Sequence, residues 1–501
     1  MRIRMAGLLA ILLLSACGSP EPPTSSVAPR DAEAAPQLRR DGRWLVDPQN
    51  RVVLVHGVNA VWKLPPYYPP DDAEGFTARD AQWLREQGFN GVRLGVLWAG
   101  VMPQEGVIDN AYLQASDRVV QLLAAQKIWT LYDFHQDMMS EEFGGEGVPA
   151  WAVEKLKGPL NTLPPPQLGF PFNYFTPQVS TLFDHLWAGQ AEVWASHAQA
   201  WTAVARRWRD QAYHMGYDLL NEPWAGTLWI NCLNPALGGC PDADRDKIQP
   251  FMDNARRALR SVDAANLVWF EPQLLAGGSG LRTGFTPVVG ESQLGYSFHN
   301  YCPHAALLQS GALPIPLDLS QTCRYFIDQV TAQGEAAARR MDAVAAMSEF
   351  GASDDLTIIR DTLAAADANL GNWFYWQYKN WRDPTTQSQG SGAQGLFADD
   401  TDLSSAKPDK LRLLVRTYPQ ATAGIPLAMS FDPDSGEFSY RYTPRAAQGL
   451  TEIYVPLALH YPQGYQLQLS GALQRSADNA ALLLLENVPG AGEVSVLLRP
   501  R

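Results

Sequence analysis

The sequence predicts a (β/α)8 barrel followed by a small all-β sandwich. Three observations predict it. Eight apolar, strand-like runs lie between residues 52 and 381, with amphipathic helical stretches between most of them. Polar and charged residues gather at the C-terminal ends of these runs. From about Gly424 the helical period disappears, and short strand-like segments with turn residues between them take over.

The chain begins with Arg2 and Arg4, an apolar run over residues 7–14, and then Leu14-Ser15-Ala16-Cys17. A short basic region, a short apolar region and small residues make an export signal, too short to span a bilayer. Ending in Cys, it resembles a bacterial lipobox, which implies cleavage before Cys17 and lipid on its sulfur. Residues 18–40, rich in Pro, Ser, Ala and Glu, read as a flexible tether. The expected location is therefore exported: membrane-anchored as a lipoprotein, or secreted or periplasmic. A net charge of −13 leaves no basic face for phosphates and argues against nucleic acid. Cys232 and Cys240 form one sequence-local couple and Cys302 and Cys323 another. In an exported chain they read as two disulfides closing short loops. Their spacing fits no zinc site.

The barrel is expected over residues 41–420, and its strand-like runs are 52–61, 91–98, 128–137, 215–224, 267–272, 294–301, 344–353 and 373–381. A helix over 76–87 ends at Gly88, a stop signal. Trp194, Ala198, Trp201, Ala205 and Trp208 recur in steps of four and three, which makes one buried helix face. Residues 274–292 lack a clear helical period and predict a degenerate fifth helix, and 408–418 closes the barrel. Two insertions follow strands at their C-terminal ends. Residues 138–180 are rich in Gly, Pro and aromatics, and 225–243 carry the first cysteine couple. Loops this long in a compact domain are usually functional or disordered, and aromatic loading argues against disorder. Residues 424–501 form the expected sandwich, which either binds sugar or covers the barrel's flank.

The chemistry sits at the strand ends. The second run carries Arg93, and the third ends Asp133-Phe134-His135-Gln136-Asp137. The fourth ends Asn221-Glu222-Pro223, the sixth His299-Asn300-Tyr301, and the seventh Ser348-Glu349-Phe350. The eighth carries Trp376 and Trp381. A barrel enzyme holds its catalytic side chains on this rim. Carboxylates on strands four and seven face each other across the barrel. That suits retaining glycoside hydrolysis, which needs two carboxyls about 5–5.5 Å apart. One must donate and then accept a proton, and the other must stay ionised to attack the anomeric carbon. Asn221 could bond the sugar's 2-hydroxyl. Arg93 would keep Glu349 ionised, and Tyr301 could donate to the same carboxylate. His135 and His299 would orient hydroxyls or the acid. Of the two tryptophans, Trp376 lies nearer the expected strand end and is the favoured sugar platform over Trp381.

Asn-Glu-Pro on the fourth strand, His-x-Tyr on the sixth, Glu on the seventh and Trp on the eighth resemble glycoside hydrolase family 5, over roughly residues 41–418. The resemblance implies Glu222 as acid/base and Glu349 as nucleophile. Asp133-x-His135-Gln136-Asp137, then Gly144-Gly145-Glu146-Gly147-Val148-Pro149-Ala150-Trp151, then the C-terminal sandwich, look like the endoglycoceramidase branch and its glucosylceramidase-like relatives. There the cleaved bond joins a sugar to ceramide. This implies that Lys63, Asp133 and Asp137 reach sugar hydroxyls and that an aromatic groove takes the lipid. The expected partners are a glycolipid or oligosaccharide and, through the anchor and the substrate, a membrane surface, with the chain a monomer. No metal or cofactor is implied. Three alternatives remain open: an endo-β-glucanase or mannanase, a steryl-β-glucosidase, and a non-catalytic carbohydrate-binding lipoprotein.

Overall fold

Eight parallel strands close into a barrel in the order of the chain. We label them β1 (His56–Ala60), β2 (Gly91–Val96), β3 (Trp129–Phe134), β4 (His214–Asp218), β5 (Val268–Phe270), β6 (Leu294–Asn300), β7 (Val344–Gly351) and β8 (Asn372–Trp376). The computed structural model describes residues 35–164, 166–233, 239–302, 320–385, 392–445 and 449–501. Cys17, the export signal and the tether up to residue 34 lie outside the described residues. Among the described residues, no helix is long and apolar enough to cross a membrane.

Each strand falls on one of the runs read from sequence, with β4 and β8 starting one residue before theirs. Buried on both faces, a parallel strand between helices is nearly continuous in apolar residues, and that is the signal those runs carry. The helices between them start where local chemistry starts them. Thr77 and Asp80 form a capping box for Ala78–Glu86. Asp109 accepts from the backbone of Ala111 and Tyr112 to open Asn110–Ala125. In the helix Ala191–Trp208, Ala198, Trp201, Ala205 and Trp208 are buried in the core, so the tryptophan stripe is packing. The fifth helix is short (Leu274–Ser279), and the chain after it is irregular up to β6. Two helices of the long insertion escaped the sequence reading: Ala150–Leu156, and Pro177–Trp187 at its end, capped by Thr176.

The C-terminal sheets differ from the expected self-contained sandwich. One has four strands: Gly424–Phe431, Phe438–Pro444, Val494–Pro500 and Tyr465–Ser470. The other has seven, and three of them come from the N-terminal side: Arg39–Asp41, Trp44–Val46 and Val52–Val53. They reach the sheet through Tyr418–Thr422, which pairs with Val52–Val53. The tether therefore does not run to residue 40. Leu38 is already buried and donates its N–H to the His214 carbonyl, at the base of β4. The run 52–61 is likewise two strands in two different sheets. Local alternation cannot show this, because the pairing spans more than 350 residues. The sandwich seats against the barrel's flank and base. Tyr418 stacks on His56 at the start of β1, and its hydroxyl donates to the Gly88 carbonyl at 2.7 Å. That is the end opposite the rim.

Candidate active site

The fourth strand runs out at Asp218, and Asn221 and Glu222 follow in a turn that Pro223 keeps out of the sheet. Glu222 has φ +42, a left-handed conformation that costs a non-glycine residue about 1–3 kcal/mol. The turn is held from both sides. Glu222 N–H donates to Oε1 of Glu271 at 3.0 Å, and the Asn221 and Glu222 carbonyls accept from Nε2 of Gln136 at 2.9 and 3.1 Å. Across the barrel, β7 shifts register against β6 between Met347 and Glu349. Such a bulge re-aims a side chain, and here it turns the Glu349 carboxylate toward Glu222. Carboxylate oxygens of Glu222 and Glu349 and a ring nitrogen of His299 lie within 4.8 Å of one another.

The two carboxyls have different surroundings. Glu349 accepts from Arg93 Nη1 at 2.7 Å and from the Tyr301 hydroxyl at 2.8 Å. Burial raises its pKa, against the opposing pull of His299 and Arg93. Glu222 lies 2.7 Å from Nδ1 of His299. Burial, reinforced by the charge of Asp137, pushes Glu222 up to about 8. Burial also pushes His299 down to about 4, so its ring is neutral. One carboxyl is thus kept protonated near neutral pH, while the other has two donors that favour its anion.

Arg93 lies beneath both. It is fully buried, and its guanidinium meets Asp133 and Asp218 at 2.9 Å each, Glu349 at 2.7 Å and Glu271 at 3.4 Å. It also donates to Asn221 Oδ1 at 3.0 Å. No part of it is left to meet a sugar, which corrects its place among the substrate-binding candidates. The same holds for Asp133, which is fully buried against Arg93 and Nδ1 of His135. Both side chains point to the barrel interior, where burial without pairing would be prohibitive.

A second cluster lies beside the first. Lys63 pairs with Asp137 and lies 3.3 Å from Asp383 and 3.4 Å from Glu146, and it donates to Thr385 Oγ1 at 2.7 Å. His135 sits between Asp133 and Asp137. Burial pushes its pKa down, but the two carboxylates outweigh burial and raise it to about 9. Trp376 stacks on His135 with ring centroids 5.2 Å apart, and Lys63 Nζ lies 4.8 Å from its ring. Trp376 therefore stands at the rim. Trp381 does not, because it packs in the core against Trp62 and Tyr378. Beyond the rim, Cys232–Cys240 and Cys302–Cys323 are both disulfide-bonded, which belongs to an oxidising compartment.

Sequence reasoning missed several buried groups, Asp383 and Thr385 beside Lys63 among them. Glu271 carried a readable signal, since Glu271-Pro272 ends the fifth run as Glu222-Pro223 ends the fourth. Glu146 stood inside the Gly-rich motif, and Gln136 inside the third strand's tail. Asp218 had none. It lies inside the strand, where only the barrel's closure shows that it points at Arg93.

This arrangement can protonate a leaving oxygen from one side and present an ionised nucleophile from the other. Comparison with known proteins agrees. The model for cellulase (glycosyl hydrolase family 5) matches residues 47–381, and that for the glycoside hydrolase family 5 C-terminal domain matches 416–496. Endoglycoceramidase I of Rhodococcus hoagii (strain 103S) is 35% identical over 463 residues, covering 92% of this chain and 87% of that protein. Endoglycoceramidase of Hydra vulgaris is 26% identical over 479 residues, covering 89% and 85%. Among solved structures, endo-glycoceramidase II from Rhodococcus sp. superposes with a TM-score of 0.73 at 26% identity, covering 91% of this chain and 99% of that one. The chain is a glycoside hydrolase, and it belongs to glycoside hydrolase family 5.

Proposed function

We propose that the protein hydrolyses the β-glycosidic bond between a glycan head group and ceramide, with retention of configuration. The observation that carries the mechanism is the pairing of Glu222 and Glu349 within 4.8 Å, Glu222 pushed up to about 8 and Glu349 holding two donors on its carboxylate. That spacing suits a covalent double displacement and is too close for a water between the carboxyls. In the first step Glu222 gives its proton to the departing ceramide oxygen while Glu349 attacks the anomeric carbon. In the second, Glu222 takes a proton from water, which displaces Glu349 from the sugar. Lys63, Asp137 and Trp376 are the rim groups offered to the sugar, and Asn221 Nδ2 lies 3.5 Å from Nε2 of His135 beside them.

The substrate rests on the named activities of the relatives. It also rests on the insertions beside Glu222, where Leu160, Leu163, Leu168, Ile230 and Leu233 are exposed. We infer further that the chain acts as a monomer and that lipid on Cys17 holds it at the membrane carrying the glycolipid. The test is thin-layer chromatography of ceramide glycosides incubated with purified protein. Free ceramide and an intact glycan are expected, with the glycan first released as the β-anomer by NMR. Cleavage of a soluble β-glucan, or of a steryl glucoside, but of no ceramide glycoside would overturn the substrate and leave the mechanism. Release of the α-anomer would overturn the mechanism.

A further inference from the structure

A third buried carboxyl, at the tip of β5, touches the proton donor through two different groups. Glu271 Oε1 accepts the Glu222 N–H at 3.0 Å and faces Nε2 of His299 at 3.4 Å, while the other ring nitrogen of His299 lies 2.7 Å from Glu222 Oε1. His299 Nε2 is buried and has no other partner among the described residues. We propose that Glu271 is a positioning residue for the proton donor: its neutral carboxyl donates to Nε2 of His299, fixes the imidazole as the Nδ1–H tautomer, and so keeps the Glu222 proton on Oε2. This rests on the role of Glu222 stated above.

The charge balance supports a neutral Glu271. One guanidinium, that of Arg93, meets four buried carboxyls: Asp133, Asp218, Glu271 and Glu349. Two of them have a second strong donor, Asp133 from His135 and Glu349 from Tyr301. Beyond Arg93, Asp218 has only the neutral Ser297 hydroxyl and Glu271 only the neutral Glu222 N–H. A second anion there would be buried without a counter-charge. Burial, with Asp218, Glu222 and Glu349 near it, accordingly pushes Glu271 well above the usual carboxylate range. The neutral His299 ring carries one N–H. If Glu271 donates to Nε2, that N–H must sit on Nδ1 and donate to Glu222 Oε1. Oε2 is then the oxygen left to carry the proton to the leaving group. Without Glu271 the ring is free to carry its hydrogen on Nε2. Nδ1 then accepts the Glu222 proton on Oε1, away from the substrate.

The test compares E271L with wild type on two substrates, octyl β-lactoside and dinitrophenyl β-lactoside. An alkoxide leaving group needs the proton, and a dinitrophenolate does not. We expect kcat/KM to fall more on the octyl substrate, by a further factor of about 10 to 100, with E271Q shifted in the same direction because an amide at Oε1 cannot satisfy both the Glu222 N–H and His299. E271Q carries the comparison if E271L does not fold. An equal loss on both substrates would mean a merely structural role and would overturn the inference. A wild-type enzyme that cleaves neither substrate would overturn the inference together with the reading beneath it.

Discussion

Replacing Tyr301 with Phe removes one oxygen from the site and leaves the ring in place. The Tyr301 hydroxyl donates to Glu349 Oε2 at 2.8 Å, in a partly buried setting. Burial pushes the phenol well above its usual range, so it stays a donor at every working pH. A hydrogen bond to a charged group contributes about 1.5–3 kcal/mol, and its loss falls on the anion of Glu349. One pKa unit corresponds to about 1.36 kcal/mol, so the pKa of Glu349 should rise by about 1–2 units. Glu349 must be ionised to attack, so activity is lost as pH falls through its pKa. The acid limb of kcat/KM should therefore move to higher pH by about 1–2 units in Tyr301→Phe. The alkaline limb reports Glu222, which must be protonated and titrates near 8, and it should stay in place. The assay is kcat/KM against pH on octyl β-lactoside, whose alkoxide leaving group needs the Glu222 proton, with melting temperature as the control. An unshifted acid limb in a folded variant would refute the coupling of Tyr301 to the nucleophile.

Glu349→Gln should lower kcat at least about 1,000-fold and leave ligand affinity measurable by calorimetry, separating a catalyst from a mere binder. Lys63→Met leaves Asp137, Glu146 and Asp383 buried without their shared cation, and should cost about 3–5 kcal/mol by urea denaturation. His135 has a folded pKa near 9, above its unfolded value, so its stabilisation is complete below about pH 6.5 and is lost as pH rises through about 9. About 3 kcal/mol of stability should disappear over that window, and the decline should flatten in His135→Asn. Cys302→Ser opens a link across a sequence separation of 21 and should lower stability by about 3 kcal/mol, read as a fall in the urea midpoint.

Much of the rim was legible because strand-tip chemistry is local. An apolar run that stops at Asn221-Glu222-Pro223 or Ser348-Glu349-Phe350 announces both a strand and the side chain at its end. The same logic should have caught Glu271-Pro272. The electrostatics were less legible. Arg93 and Asp133 read as sugar contacts because their position along the strand is right. Their depth, which decides whether they meet sugar or only each other, depends on barrel closure.

Residue order alone establishes the barrel, its count of strands, the face that carries chemistry and the pair of glutamates on that face. All follow from periodicity within about ten residues and from what proline forbids. Folding in three dimensions is what places the β7 bulge beside Glu349, sets Arg93 beneath four carboxyls, and lets residues 39–53 complete a sheet with strands from the far end of the chain. Proton affinities depend on burial and on separations of a few ångströms, and sheet pairing depends on partners hundreds of residues away. Neither leaves a local periodic trace in the chain.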